Sequence, residues 1–259
     1  MLAEVDAYIA QFPGERDENG RRLVVRNGYH QPREILTSAG AVEVTVPRVN
    51  GTRPEGVSMS KVIADISMSL DGYVTAPGVD QEHGLGIGGE AIHAWVLEEP
   101  RFPVDEAVLA DSFEHTGAVV MGRRLYDIVD GPHGWNDDVG YGHDQDQSAA
   151  PPCYVITHEP PAQVRLASRF RFATEGVAAA IDQARAAAGD RDVVVMGGAN
   201  VIDQCLAAGL VDELRIHLSP LLVGGGTRLF DLAGPTTLIQ QEVTQSPRAT
   251  HLTYHVVKD

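Results

Sequence analysis

Cysteine is nearly missing from this chain. Cys153 and Cys205 are the only two in 259 residues, and no CxxC or Cys/His cluster accompanies them. That excludes a disulfide framework and a structural zinc site, and points to a reducing cytoplasm. Long apolar runs are missing too. Nothing approaches the ~20 consecutive apolar residues of a membrane helix, and the opening MLAEVDAYIAQF has neither the basic start nor the apolar stretch of a secretory signal. Basic charge is scarce: 20 Lys and Arg stand against 36 Asp and Glu, a net −16, which argues against nucleic acid as the main partner. No G-x-S-x-G nucleophile elbow occurs. Gly84-x-Gly86-x-Gly88-Gly89 imitates a dinucleotide-binding fingerprint but follows no convincing strand, so it reads as a loop.

What is present fits a soluble globular protein with one sizeable core and a small extra module, at 43% apolar and 22% charged residues. The charge is uneven. Residues 1–58 hold seven Arg and eight acidic residues, a net −1, whereas residues 59–259 hold 13 basic and 28 acidic, a net −15. In the first piece, Leu2, Val5, Ile9 and Phe12 have helical spacing up to Pro13-Gly14. Val42, Val44 and Val46 alternate as in a short strand ending at Pro47, and Asn50 to Gly56 is a linker. From Met59 the pattern turns α/β. Strands are expected at 61–70, 117–121, 153–157, 169–172, 193–196, 211–219, 238–244 and 251–257. Helices are expected at 90–97, 104–115, after Arg123 to Val129, 175–188 and 199–208. Residues 131–152 form a long loop. Alternating β and α followed by a β-rich tail predicts a mostly parallel sheet with an antiparallel C-terminal edge and flanking helices.

Three strand ends share one logic. Gly122-Arg123-Arg124, Thr157-His158 and Gly197-Gly198-Ala199-Asn200 each follow a short apolar strand, where open α/β sheets bind ligands. They supply guanidinium groups, a hydroxyl, an imidazole and a glycine-lined helix start, which together suit a ligand with several phosphates. Taken singly, the glycine pair is as well read as a tight turn and the arginines as solvated helix-start residues. His133, Asp137, Asp138, His143, Asp144 and Asp146 crowd the 131–152 loop; their irregular spacing reads as a solvated loop or a cover over the site rather than a metal centre. Trp135 is expected to pack, and Cys205, on an apolar helix stripe with Val201 and Ile202, to lie in the core.

Two resemblances add to this. Val25-Arg26-Asn27-Gly28-Tyr29 and Gly40 to Arg48 resemble the N-terminal region of Mutator-type transposases; residues 1–58 are then a fused fragment ahead of a 201-residue domain, or else an ordinary extension. Ser69-Leu70-Asp71-Gly72-Tyr73, Val119 to Arg123, Tyr154 to His158, Met196 to Asn200 and Leu221 to Phe230 resemble, in family order, the reductase (C-terminal) domain of the riboflavin-biosynthesis protein RibD, within the dihydrofolate reductase superfold. That resemblance implies NADPH as cofactor. Gly122, Arg123 and Arg124 would meet its phosphates, Thr157 and His158 the 2′-phosphate side, and Gly197, Gly198, Ala199 and Asn200 the pyrophosphate. It places Asp71 at the nicotinamide end, as a proton relay or as plain turn chemistry, and Leu222 with Gly224 at the pocket floor. It also implies a small-molecule substrate and a homodimer. The zinc deaminase motifs H-x-E and P-C-x-x-C are absent. Reduction of dihydrofolate or another heterocycle, and a non-catalytic nucleotide-binding protein, remain the alternatives.

Overall fold

In this computed structural model residues 60–258 are described throughout; before them only the backbone of four strands is. The chain divides into two compact units, Met1–Ser58 and Met59–Asp259. In the first, β1 (Val24–Tyr29) pairs antiparallel with β4 (Pro47–Gly51), and β2 (Arg33–Thr37) with β3 (Gly40–Val44). Of the alternating run at 42–46, Val42 and Val44 lie in β3, and residues 45 and 46 lie outside the described residues. β3 stops at Val44 and Pro47 opens a new strand, a position where its missing N–H is tolerated. The helix expected at 2–12, the residues after Gly51 that make up the linker, and Met59 lie outside the described residues.

The second unit runs β5 (Val62–Ser69), a 3-10 turn (Gly89–His93), α1 (Ala94–Leu97), α2 (Pro103–His115), β6 (Thr116–Gly122), α3 (Arg123–Val129), β7 (Cys153–Ile156), β8 (Phe170–Ala173), α4 (Val177–Ala188), β9 (Asp192–Gly197), α5 (Ala199–Ala207), β10 (Glu213–Ser219), β11 (Leu238–Gln245) and β12 (Thr250–Val256). Eight strands form one sheet in the order β11-β12-β10-β5-β9-β6-β7-β8. β10 through β8 are parallel, and β12 and β11 add an antiparallel edge. The expected α/β architecture with a mostly parallel sheet is therefore what the chain adopts. The edge hairpin turns at Ser246-Pro247-Arg248, with the Ser246 hydroxyl accepting from the N–H groups of Arg248 and Ala249.

Helices cover both sheet faces, as parallel crossovers require. On one face Ala180, Ile181, Ala184 and Ala188 of α4, with Ala199, Val201, Ile202, Cys205 and Leu206 of α5, bury against Val62, Ala64, Val120, Val193, Val195, Leu214 and Ile216. Small residues bring the layers close. A Cβ on Gly117 would come within 2.7 Å of Ala188, so alanine and glycine set the α4–β6 spacing. The other face packs Ile63, Val119, Met121, Cys153, Val155 and Val194 under Tyr126 and Val129 of α3. The thiols of Cys153 and Cys205 are buried, and burial pushes both up to about 12, which leaves them inert core residues.

Candidate functional site

The three predicted strand ends are neighbours in the sheet. Met121 stands beside Gly197, and Gly122 beside Ile156, so the ends of β9, β6 and β7 open on one edge. Arg123 ties two of them together. Its Nε donates to Asp127 Oδ1 at 2.7 Å, and its Nη1 donates to the Glu159 carbonyl at 2.8 Å and to Thr157 Oγ1 at 3.3 Å. Arg124 and His158 are exposed beside it. Gly122 lets α5 approach, because a Cβ there would sit 2.8 Å from Val201. Gly197 has φ +122, a conformation that needs glycine. The Gly197–Gly198 peptide is cis. Gly198 caps α5 with no side chain, and a Cβ on it would meet nothing within 4 Å. Ala199 is buried and Asn200 is exposed, its Oδ1 taking the Gln204 amide at 2.6 Å. The structure thus brings Gly122, Arg123, Arg124, Thr157, His158 and Gly197 to Asn200 to one place.

Asp71 has a different job. Its Oδ1 accepts from Ser69 Oγ at 2.6 Å and from the Val223 N–H at 3.2 Å; its Oδ2 accepts from the Gly224 N–H at 2.8 Å. The Ser69 hydrogen bond, helped by those two N–H groups, holds its carboxyl below the usual carboxylate range. Asp71 therefore stays ionised and pins the β5 turn to the 221–224 loop, a turn role that does not exclude a part in proton relay. Leu222 is 71% exposed and Gly224 has open space around it; neither is among the residues that line the cavity between α2 and α3.

That cavity, about 510 Å³, opens over the face of β5, β9 and β10 between α2 and α3. Its walls are largely apolar, with Trp95, Leu109, Phe113, Leu125 and Met196 among them, and Asp65, Ser67 and His217 reach it from the sheet. The 131–152 loop forms part of the rim, held by Arg101 on Asp144 at 2.6 Å, by the Gln147 amide on three loop carbonyls, and by Arg165 on the Trp135 carbonyl. Trp135 packs on Phe170, as expected, with ring centroids 6.1 Å apart.

Sequence reasoning missed the polar floor. Register places His217 of β10 directly between Ser67 of β5 and His251 of β12. Asp65 Oδ1 lies 2.9 Å from His217 Nε2, His217 Nδ1 lies 2.7 Å from His251 Nδ1, and His251 Nε2 lies 2.9 Å from Asp105 Oδ1 of α2. The Trp95 indole N–H donates to Ser67 at 2.9 Å, and its ring lies 4.3 Å from that of His217. Burial pushes the Asp65 carboxyl up, but the charge and hydrogen bond of His217, with Arg215 and His251, outweigh it and leave Asp65 below its ordinary value. Burial and the neighbouring His217 lower His251 against the pull of Asp105, and the same two causes bring His93 down to about 4. The signal was in the sequence: β5, β10 and β12 all alternate ionisable or hydroxyl residues with apolar ones. In an interior strand of a covered sheet that alternation marks a buried polar face.

Residues 60–252 match the family model described as RibD C-terminal domain. The uncharacterized protein YyaP of Bacillus subtilis (strain 168) is 21% identical over 176 residues, covering 66% of this chain and 80% of YyaP. Among solved structures, a putative riboflavin biosynthesis protein from Shewanella sp. PV-4 superposes with a TM-score of 0.55 at 20% identity, over 76% of this chain and 99% of that one. A pyrimidine reductase-like protein from Corynebacterium diphtheriae gives 0.50 at 19% identity, over 77% and 93%. At such identities the two structures speak for the fold.

Proposed function

The chain belongs to the RibD C-terminal domain family, and from that premise we propose that it is an NADPH-dependent reductase. Its substrate would be a small heterocycle or a ribosyl-pyrimidine of the 5-amino-6-(5-phosphoribosylamino)uracil type. The observation that carries this reading is the convergence of three parallel strand ends around a glycine whose missing side chain leaves free space. Gly198 opens α5 with open space beside it, so the backbone N–H groups of that helix start would be free to receive a pyrophosphate. Arg123, Arg124, Thr157 and His158 would meet the remaining phosphates, and the exposed imidazole and guanidinium suit a 2′-phosphate dianion better than a ribose diol. When bound, reduced nicotinamide supplies a hydride, which adds with both electrons to a C=N or C=O carbon and breaks the π bond. The protein's part is to hold the substrate, exclude water and deliver the accompanying proton. Asp71 keeps the turn beside the 221–224 loop in shape. The exposed Leu238, Ile239 and Val243 of the edge strand β11 support a homodimer.

The test is NADPH binding by thermal shift, followed by NADPH oxidation against the riboflavin pyrimidine intermediate and dihydrofolate. The expected result is stabilisation by NADPH exceeding that by NADH. Equal response to both overturns the 2′-phosphate assignment, and no response to either overturns the reductase.

A further inference from the structure

Three hydrogen bonds in a row link Asp65, His217, His251 and Asp105, and three bonds need three protons. With a proton on each outward Nε2, the contact between the two Nδ1 atoms still requires one more, so one proton serves both rings. Wherever those three protons sit, the row of two imidazoles and two carboxyl groups carries a net charge of −1. Its surroundings are charged on several sides. Arg215 stands beside Asp65 across β5 and β10 and is itself bonded to Glu213; Asp111 on α2, His93 on the 3-10 turn and Tyr141 on the loop complete the set. One end of the row, Asp65, is in the cavity wall with Oδ1 committed to His217. The other end, Asp105, is fully buried, and its Oδ2 has no partner. Such a row moves protons toward the cavity without moving atoms far, because each ring can accept on one nitrogen as it gives on the other.

Resting on the reductase reading, we propose that Asp65 is the acid of the reaction, recharged through His217 and His251 with Asp105 holding the far ring, and that it serves an unphosphorylated, neutral or cationic nitrogen heterocycle. The histidine pair first passes its extra proton to Asp65 through His217; as the substrate carbon takes the hydride, the nitrogen or oxygen left with the π pair takes that H⁺ from Asp65, and solvent restores the third proton to the row, so charge and electrons balance. The substrate class follows from the walls. They carry the carboxylates Asp65, Glu82 and Glu90 beside His93, His133, His143 and His217 and, among the residues lining the cavity, no lysine or arginine, so a phosphate dianion finds no guanidinium or ammonium partner while a base finds a carboxylate.

The experiment pairs Asp65→Asn, which keeps the shape, with His251→Gln, which cuts the row and leaves Asp65 and His217 in place. The expected result for Asp65→Asn is a kcat loss of about 100-fold with the KM for NADPH unchanged. His251→Gln should lower kcat about tenfold and move the alkaline limb of the kcat–pH profile by about one unit. An activity-independent readout comes from Trp95, whose ring lies 4.3 Å from His217 and 5.0 Å from His251. In a Trp135→Phe background Trp95 alone emits, and its fluorescence should follow protonation of the pair, with a midpoint that both variants shift. A kcat for Asp65→Asn within about threefold of the parent, or a Trp95 titration that neither variant moves, overturns the relay. A kcat/KM that favours the phosphoribosyl substrate over its dephosphorylated counterpart by about tenfold or more overturns the substrate class. If neither nicotinamide cofactor shifts the melting temperature, the reductase reading falls and the acid role with it; a normal shift with an indifferent Asp65→Asn removes the relay alone.

Discussion

The two faces of the β5–β10 region obey opposite rules. Toward α4 and α5 the strands present Val62, Ala64, Leu214 and Ile216, all nearly inaccessible and packed on aliphatic helix residues. Toward α1 and α2 the same strands present Asp65, Ser67, Arg215 and His217, with a cavity above them. The strands, twist and register are shared, so the difference comes from side chains one residue apart. The first face holds the fold together. The second spends that stability on a buried polar row and an unfilled volume, which is the usual signature of a site.

The largest effect expected from breaking this contrast is on the dry face. Ile202 is fully buried in α5, and Ile202→Ala should cost about 3 kcal/mol in urea unfolding while leaving the cavity chemistry intact; a cost under about 1 kcal/mol would mean that this face is not the stabilising one. The polar face should instead show itself through acid. His93 has a folded pKa of about 4 because burial disfavours its charged form. The unfolded chain then binds the extra proton first, so stability present above the ordinary value of 6.5 is lost as pH falls from there toward 4. The loss is up to about 3 kcal/mol. Melting temperatures at pH 7 and pH 5 should differ less in His93→Gln than in the parent; an equal difference would assign the acid sensitivity to other groups. Smaller still, Ser67→Ala strands the Trp95 indole N–H and should cost about 1.5 kcal/mol. Least of all for the fold is Gly198→Ala, which meets no neighbour. Its unfolding free energy should move by less than about 0.5 kcal/mol, while NADPH affinity, measured by titration, drops about tenfold.

Much of this was legible before folding. The strand-end crevice could be read because its residues sit at the ends of apolar runs, and in a parallel sheet those ends converge whatever the details. Gly197 and Gly198 announced themselves by type: Gly197 takes a positive φ, and Gly198 leaves open space at the start of α5. Asp71 reads both as turn and as catalytic residue because both use the same Asp-Gly pair, and its three hydrogen-bond partners display the turn role. Asp65, His217, His251 and Asp105 went unread for a different reason. They are far apart in sequence, and each alone looks like the polar alternate of an ordinary strand or the first turn of an ordinary helix.

The sequence by itself determined the element order, the mostly parallel sheet with its antiparallel edge, the family, and the glycines of the strand-end crevice. Each of these depends on local conformational preference and on periodicity, which act over a few residues. Only the tertiary structure decided which polar face is buried and which residues share it. That required β10 to insert between β5 and β12, bringing His217 beside Ser67 and His251, and α2 to set Asp105 against His251. Strand order and helix docking are long-range outcomes of packing, and no window along the chain contains them.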